Sequence, residues 1–187
     1  MTENTSVALF QQSQVVLLCG MTGSGKTTVA IYLEEDIPAV RFSIDEWMIK
    51  LYGHYMSRED FDRNMESIKQ LIWQVVDRLI LISANVVLDY GFWRASEREI
   101  AYRRIKEKGG IPIVYFLNVP LSTLKQRLEK RNSNLSEGTF EITSQMLETF
   151  SANFEPPQVD EGIQIIELDG TDDSYKKHRL NLESLFI

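Results

Sequence analysis

Gly20-Met21-Thr22-Gly23-Ser24-Gly25-Lys26-Thr27 follows the short apolar run Val15-Val16-Leu17-Leu18-Cys19 and leads into a helical stretch from Thr28 to Glu34. A run of β-branched and aliphatic residues ended by glycine is the pattern of a strand buried on both faces. The octapeptide fits G-x-x-x-x-G-K-[ST], the phosphate-binding loop, and strand-loop-helix is the context that motif requires. Glycines at 20, 23 and 25 let the backbone curl until its N–H groups converge on one point, where the next helix adds the positive end of its dipole. Nucleotide phosphates are therefore expected at Gly20, Thr22, Gly23, Ser24, Gly25, Lys26, Thr27 and Thr28. In such loops the lysine reaches β- and γ-phosphate oxygens and the hydroxyl after it coordinates Mg2+. ATP and Mg2+ are the cofactors this implies, held by Lys26 and Thr27.

Outward from the loop, apolar runs alternate with amphipathic stretches. Further strands are expected at Ala39 to Ile44, Asn85 to Asp89, Ile111 to Asn118 and Gly162 to Leu168. The longest helix is expected from Glu59 to Ser83, where Ile68, Leu71, Ile72, Val75, Val76, Leu79 and Ile82 recur at three- and four-residue spacing. Another starts at Ser96, with Glu99 completing a capping box, and stops at Gly109-Gly110; a third runs from Pro120 to about Asn132. Strands alternating with helices over short loops mean an α/β fold, a parallel sheet covered on both faces, with ligands at the carboxyl ends of the strands. No repeat or Pro/Gly/Ser-rich linker divides the 187 residues, so one domain is expected over 1–187, with a flexible N-terminus at 1–13.

Composition agrees with an ordinary globular chain: 43% apolar, 25% charged and 10% aromatic residues. One cysteine and two histidines leave no zinc cluster and no intrachain disulfide, which fits a reducing cytoplasm. The polar start lacks the basic region of a signal peptide, and no apolar run approaches the ~20 residues of a spanning helix. A cytoplasmic protein without a membrane partner is expected. The net charge of -7 argues against nucleic acid as a general partner, although residues 94–131 carry a local excess of +6 that suits phosphate contacts.

The kind of nucleotide-dependent protein narrows by elimination. An Asn-Lys-x-Asp motif is absent, and Asp89 continues as Tyr90-Gly91-Phe92 rather than Asp-x-x-Gly, which excludes a small G protein. Tyr90 stands where a mechanical ATPase would place its water-activating glutamate. Ser43-Ile44-Asp45-Glu46-Trp47-Met48, Val87-Leu88-Asp89-Tyr90-Gly91-Phe92-Trp93, Leu117-Asn118-Val119-Pro120 to Arg131-Asn132, and Phe154-Glu155-Pro156-Pro157 complete the pattern. Over residues 14 to 170 it resembles the bacterial P-loop ATP-binding proteins grouped with polynucleotide kinase, zeta toxin and chloramphenicol phosphotransferase. The resemblance implies a three-layer P-loop fold with five parallel strands in the order 2-3-1-4-5. It also implies ATP-dependent phosphotransfer, without naming the acceptor.

Asp45, just past the second strand, is placed to accept the acceptor hydroxyl's proton and orient it for in-line attack; it also suits an N-cap of a helix from Glu46 to Leu51. Asp89 ends an apolar run where a carboxylate holds Mg2+, though in some relatives it faces the acceptor. Arg127 and Arg131 lie four apart on one helical face, before a polar stretch at about 132–141 that reads as a lid. By resemblance to lid-bearing kinases, Arg127 stacks on adenine and Arg131 reaches the transferring phosphoryl group. Arg94 and Arg98 could bind an anionic acceptor, and Trp47, Phe92 and Trp93 flank its pocket or pack as core. The catalytic set is thus Asp45, Lys26 and Arg131, with Thr27 and Asp89 for the metal and Asp45, Trp47, Asp89, Arg94 and Arg98 for the substrate. The expected activity is transfer of the ATP γ-phosphate to a hydroxyl of a sugar, nucleotide, nucleotide-sugar or antibiotic by a monomer or homodimer. The alternatives are a nucleotide-binding regulatory module and, as acceptor, a polynucleotide 5′-hydroxyl.

Overall fold

A computed structural model describes residues 12–134 and 139–171. The expected flexible start up to residue 11 and the centre of the expected lid, 135–138, lie outside the described residues. The elements run β1 (Gln14–Cys19), α1 (Lys26–Asp36), β2 (Ala39–Ser43), α2 (Ile44–Tyr52), α3 (Arg58–Leu81) and β3 (Asn85–Asp89). They continue as α4 (Ala95–Glu107), β4 (Ile111–Asn118), α5 (Leu121–Asn132), α6 (Ser144–Asn153), a 3-10 turn (Val159–Glu161) and β5 (Gln164–Asp169). All four strand pairings are parallel and the order is β2-β3-β1-β4-β5. This is the α/β P-loop fold, with its strand order as expected.

Every residue of β1 is buried, because the strand is central and both its faces are covered. Val15, Leu17 and Cys19 face a core closed by α2, α3 and α4, whereas Val16 and Leu18 face Val29, Ala30 and Leu33 of α1. A smaller cluster, Met21, Leu124, Leu128 and Leu147, packs α5 and α6 beside the phosphate-binding loop. The α3 stripe is narrower than its apolar spacing suggests. Ile68, Ile72, Val76 and Ile80 are buried, whereas Leu71, Val75 and Ile82 stand in solvent. A helix against one sheet buries a single stripe, and the extra aliphatics fall outside it.

Three boundaries differ from expectation. The helix after β2 begins at Ile44 with Ser43 as its N-cap, so Asp45 lies inside the first turn rather than capping it. There its negative charge still meets the favourable end of the helix dipole. The capping box of α4 sits two residues earlier: Glu97, not Glu99, accepts the N–H of the residue three before it, Arg94, at 3.2 Å. Helix α6 has no counterpart in the sequence reading, since Leu147 is its one fully buried residue and the apolar period is weak. Its start was signalled by Thr143, whose hydroxyl accepts the Met146 N–H at 3.2 Å.

Candidate active site

The carboxyl ends of the strands open into a cleft of about 1760 Å³. That exceeds the roughly 300–1,000 Å³ of a pocket for one small ligand, so two substrates can share it. The phosphate-binding loop forms one wall. Gly20 holds φ at 151°, and a Cβ there would stand 2.8 Å from Ser24 Oγ and 3.0 Å from the Leu117 carbonyl oxygen, so only glycine lets the chain leave β1 this tightly. Gly25 is the N-cap of α1 at φ 100°, a left-handed turn that starts the helix directly at Lys26.

Inside this loop the Lys26 ammonium donates to the Gly20 oxygen at 3.0 Å and the Met21 oxygen at 2.9 Å. Burial weakens its hold on its proton, and the nearby carboxylates of Asp89 and Asp45 oppose that effect. The Ser24 hydroxyl is buried with no hydrogen-bond partner. A glycine-curled cradle, an orphaned hydroxyl and a cation held only by loop carbonyls are the groups that a bound phosphate would satisfy, so the residues fit ATP. Trp93 closes the loop from behind, its indole N–H donating to the Gly20 oxygen at 3.0 Å while its ring lies 5.0 Å from that of Phe150.

The structure brings the two metal candidates together. Thr27 Oγ1 donates to Asp89 Oδ1 at 3.3 Å, joining the first turn of α1 to the end of β3. Asp89 is almost fully buried, and burial pushes its carboxyl above the ordinary value despite Lys26, the Thr27 hydroxyl and Arg41. A hydroxyl and a buried carboxylate beside a phosphate cradle form an oxygen donor set of the kind that suits Mg2+. Asp45 faces the same cleft. The residue is solvent-exposed, yet the protein around the carboxyl pushes its pKa up, while Lys26 and Arg131 pull it down.

From α5, Arg131 donates to the Phe140 carbonyl oxygen at 3.1 Å, and its Nε is buried without a partner. Arg127 leans on the loop, with Nη1 at 3.4 and 3.5 Å from the Gly23 and Ser24 oxygens. Both line the cleft, as do Thr22, Thr28 and Arg94.

Two expected substrate residues do not. Arg98 is wholly buried; it donates to Glu161 at 2.7 and 2.5 Å and to the Phe92 carbonyl oxygen at 2.8 Å, so its charge is committed beneath the cleft rather than offered to an acceptor. Trp47 packs its ring edge-on against Phe42 at 5.7 Å and is not part of the cleft wall. Helical periodicity cannot distinguish a solvated arginine from one drawn into the core by a distant glutamate, and Glu161 is 63 residues away in sequence. Part of the basic island is likewise paired, Arg103 with Glu99, Arg104 and Lys108 with Asp77, and Lys125 with Glu148.

The cleft also draws on residues that the sequence did not single out. Lys69 and Trp73 of α3 face Glu97 and Arg104 of α4; Lys69 approaches Glu97 at 3.7 Å, and Arg104 lies over the Trp73 ring. Asp169 at the end of β5, with Gly170 and Thr171 after it, also lines the cleft, a place marked in the sequence only by Asp-Gly after an apolar run.

A family model described as an AAA domain matches residues 15–157. No curated protein matches the chain. Among solved structures, a provisionally assigned kinase of Chloroflexus aurantiacus J-10-fl superposes with a TM-score of 0.73 at 15% identity, covering 93% of this chain and 98% of that one. Chaetomium thermophilum Kti12 in complex with ADP-AlF3 gives 0.66 at 16% identity, covering 91% and 97%. A sugar kinase from Janibacter sp. HTCC2649 gives 0.60 at 18% identity, covering 94% and 95%. At these identities the likeness is one of fold.

Proposed function

This chain belongs to the AAA-domain family, and from that premise we propose that it is an ATP-dependent phosphotransferase that moves the γ-phosphate to a hydroxyl of a small molecule. The observation that carries this reading is that the phosphate cradle, the Thr27–Asp89 pair, Asp45 and Arg131 all line one cleft roomy enough for two ligands. Lys26 leaves the loop carbonyls for the β- and γ-phosphates. Thr27 and Asp89 hold Mg2+, which when bound neutralises phosphate charge. Asp45, whose carboxyl is made more basic by burial and less so by Lys26 and Arg131, orients the acceptor hydroxyl and takes its proton. The unpartnered Nε of Arg131 is free to stabilise negative charge that grows on the transferring group.

The acceptor side of the cleft favours a neutral or weakly charged, hydroxyl-bearing molecule over a polyanion. Lys69 and Arg104 already face carboxylates, which leaves Arg94 without an ion pair there among the described residues. A polynucleotide would need a row of free cations along its backbone. The sugar kinase among the structural neighbours fits this chemistry. The test is a screen of sugars, nucleosides and aminoglycoside-type alcohols for phosphate transfer from ATP, with thermal stabilisation by Mg·ATP measured on the same preparation. Transfer to a polyol establishes the reading. Tight Mg·ATP binding without transfer to any of a broad panel replaces it with a nucleotide-binding regulatory module.

A further inference from the structure

Arg41 reaches from β2 into three carboxylates that belong to three different elements. Its Nη1 donates to Glu46 Oε1 at 2.9 Å and to Asp89 Oδ2 at 3.3 Å, its Nη2 to Glu46 Oε2 at 3.0 Å, and its Nε to Glu34 Oε2 at 3.1 Å. The side chain is 14% exposed, and that of Asp89 only 2%. Two of these partners matter for chemistry. Asp89 shares its other oxygen with Thr27, and Glu46 is the residue next to Asp45 in the first turn of α2. One planar guanidinium therefore spans the metal pair on one side and the helix that presents Asp45 on the other.

We propose that Arg41 is a positioning residue that couples the two halves of the site: it fixes the Asp89 carboxylate for Mg2+ and, through its fork on Glu46, sets α2 so that Asp45 meets the acceptor hydroxyl. The proposal rests on the phosphotransferase reading. Neutralising a buried carboxylate would need only a positive charge, which lysine also supplies. Spanning Asp89 and Glu46 together, with two parallel bonds to the latter, needs the rigid fork of arginine. Groups that orient a metal ligand in this way typically change metal affinity or activity by about 10–100-fold when removed.

Arg41→Lys, Arg41→Gln and Glu46→Gln separate these roles, with Arg103→Gln, which breaks only an exposed pair on α4, as the control. Two quantities are read on each protein. The first is the Mg2+ concentration giving half-maximal thermal stabilisation at saturating ATP; the second is kcat against KM for ATP in transfer, or in hydrolysis with water as acceptor. Arg41→Lys is expected to melt near the parent, to need about 10-fold more Mg2+ and to lose kcat by a similar factor, with KM for ATP little changed. Glu46→Gln should lower kcat while leaving the Mg2+ response near normal, because it cuts the α2 side alone. A lysine variant with the parent's Mg2+ response and kcat overturns the proposal, even if Arg41→Gln fails to fold. A parent protein that Mg·ATP stabilises but that transfers nothing sinks the phosphotransferase reading on its own. In that case a weakened Mg2+ response in Arg41→Lys supports the link to Asp89, and a normal response overturns it. No stabilisation of the parent by Mg·ATP overturns both.

Discussion

Thr27 Oγ1 and Asp89 Oδ1 lie 3.3 Å apart across the junction between α1 and β3, two elements whose contributing residues are 62 positions apart in sequence. Parallel pairing of β1 with β3 in the register Val15 to Val86 brings the end of β3 level with the loop after β1, and the hydroxyl and carboxylate meet there. The same burial that would strengthen a bond from this carboxylate to a cation makes its charge costly on its own.

Asp89→Asn tests that discomfort. The folded-state pKa of Asp89 is raised above the ordinary value of 3.8 by burial, so its contribution is fully favourable below that value and is lost as pH rises through the folded pKa. The nucleotide-free Asn variant should therefore melt above the parent at neutral pH, by about 2–4 °C for each kcal/mol relieved. The difference should shrink as pH falls below the raised folded-state pKa, where the parent carboxyl is itself protonated. Stabilisation by Mg·ATP should drop in the same variant. Melting curves at several pH values, with and without Mg·ATP, decide both points, and an Asn variant less stable than the parent at neutral pH would show that the Arg41 pairing outweighs burial.

Lys26→Met follows the same logic with the opposite charge. Burial depresses the Lys26 pKa, so holding it charged near neutrality works against the fold, and its two hydrogen bonds go only to loop carbonyls. The variant should keep its nucleotide-free melting temperature and lose most of the shift that Mg·ATP gives the parent. Equal shifts in both would remove Lys26 from the phosphate site.

How far the sequence could be read depends on how local each signal was. The phosphate loop, β1 and the partner Asp89 were legible because each is a contiguous pattern with a fixed place in a strand-loop-helix unit. Arg41, Arg98 and Trp47 were not, since what decides each is a long-range or through-space partner: Asp89 for Arg41, Glu161 for Arg98, and the edge of Phe42 for Trp47. The cleft wall on α3 and α4 was equally silent. Lys69 and Glu97 come together only because both helices lie on one face of the sheet, and nothing in either stretch marks the pair.

Arg98 and Glu161 should dominate stability beneath the cleft. Arg98 is fully buried, and removing Glu161 strands its charge, which typically costs about 3–5 kcal/mol. Glu161→Ala should accordingly melt on the order of 10 °C below the parent. Arg98→Met should be milder, because a partly exposed Glu161 can turn to water while the methionine fills the core. Melting temperatures of the two variants give the answer directly, and equal losses would contradict the asymmetry.

Arg127 and Arg131 share a face of α5 but are expected to fail differently. Arg131 has an unpartnered Nε within the cleft, so Arg131→Ala should lower kcat by about 10²–10³ with KM for ATP nearly unchanged, as for other lost transition-state donors. Arg127 Nη1 lies against the Gly23 and Ser24 oxygens, and its charge also acts on Asp169. If it stacks on adenine, Arg127→Ala should raise KM for ATP by roughly 2- to 30-fold and spare kcat. Steady-state kinetics at varied ATP separates the pair, and a shared small effect would return both to the helix surface.

Asp45→Asn addresses the step that distinguishes a transferase from a nucleotide binder. Asparagine keeps the size of the side chain and its place in the first turn of α2, and removes only the charge to which the proposal assigns the hydroxyl proton. Asp45 is tied to the phosphate loop by electrostatic attraction to Lys26 and to α5 by attraction to Arg131, not by a hydrogen bond to the loop among the described residues, so ATP should bind the variant about as well as the parent. Transfer to the acceptor should fall by about 10²–10⁴, the usual range for loss of a general base. Because the carboxyl pKa is raised in the free protein, the parent's transfer rate should climb with pH on its acid side, and that limb should vanish in the variant. ATP affinity by calorimetry and a pH–rate profile on the same two proteins suffice, and intact transfer with an unchanged acid limb in Asp45→Asn would place the base elsewhere in the cleft.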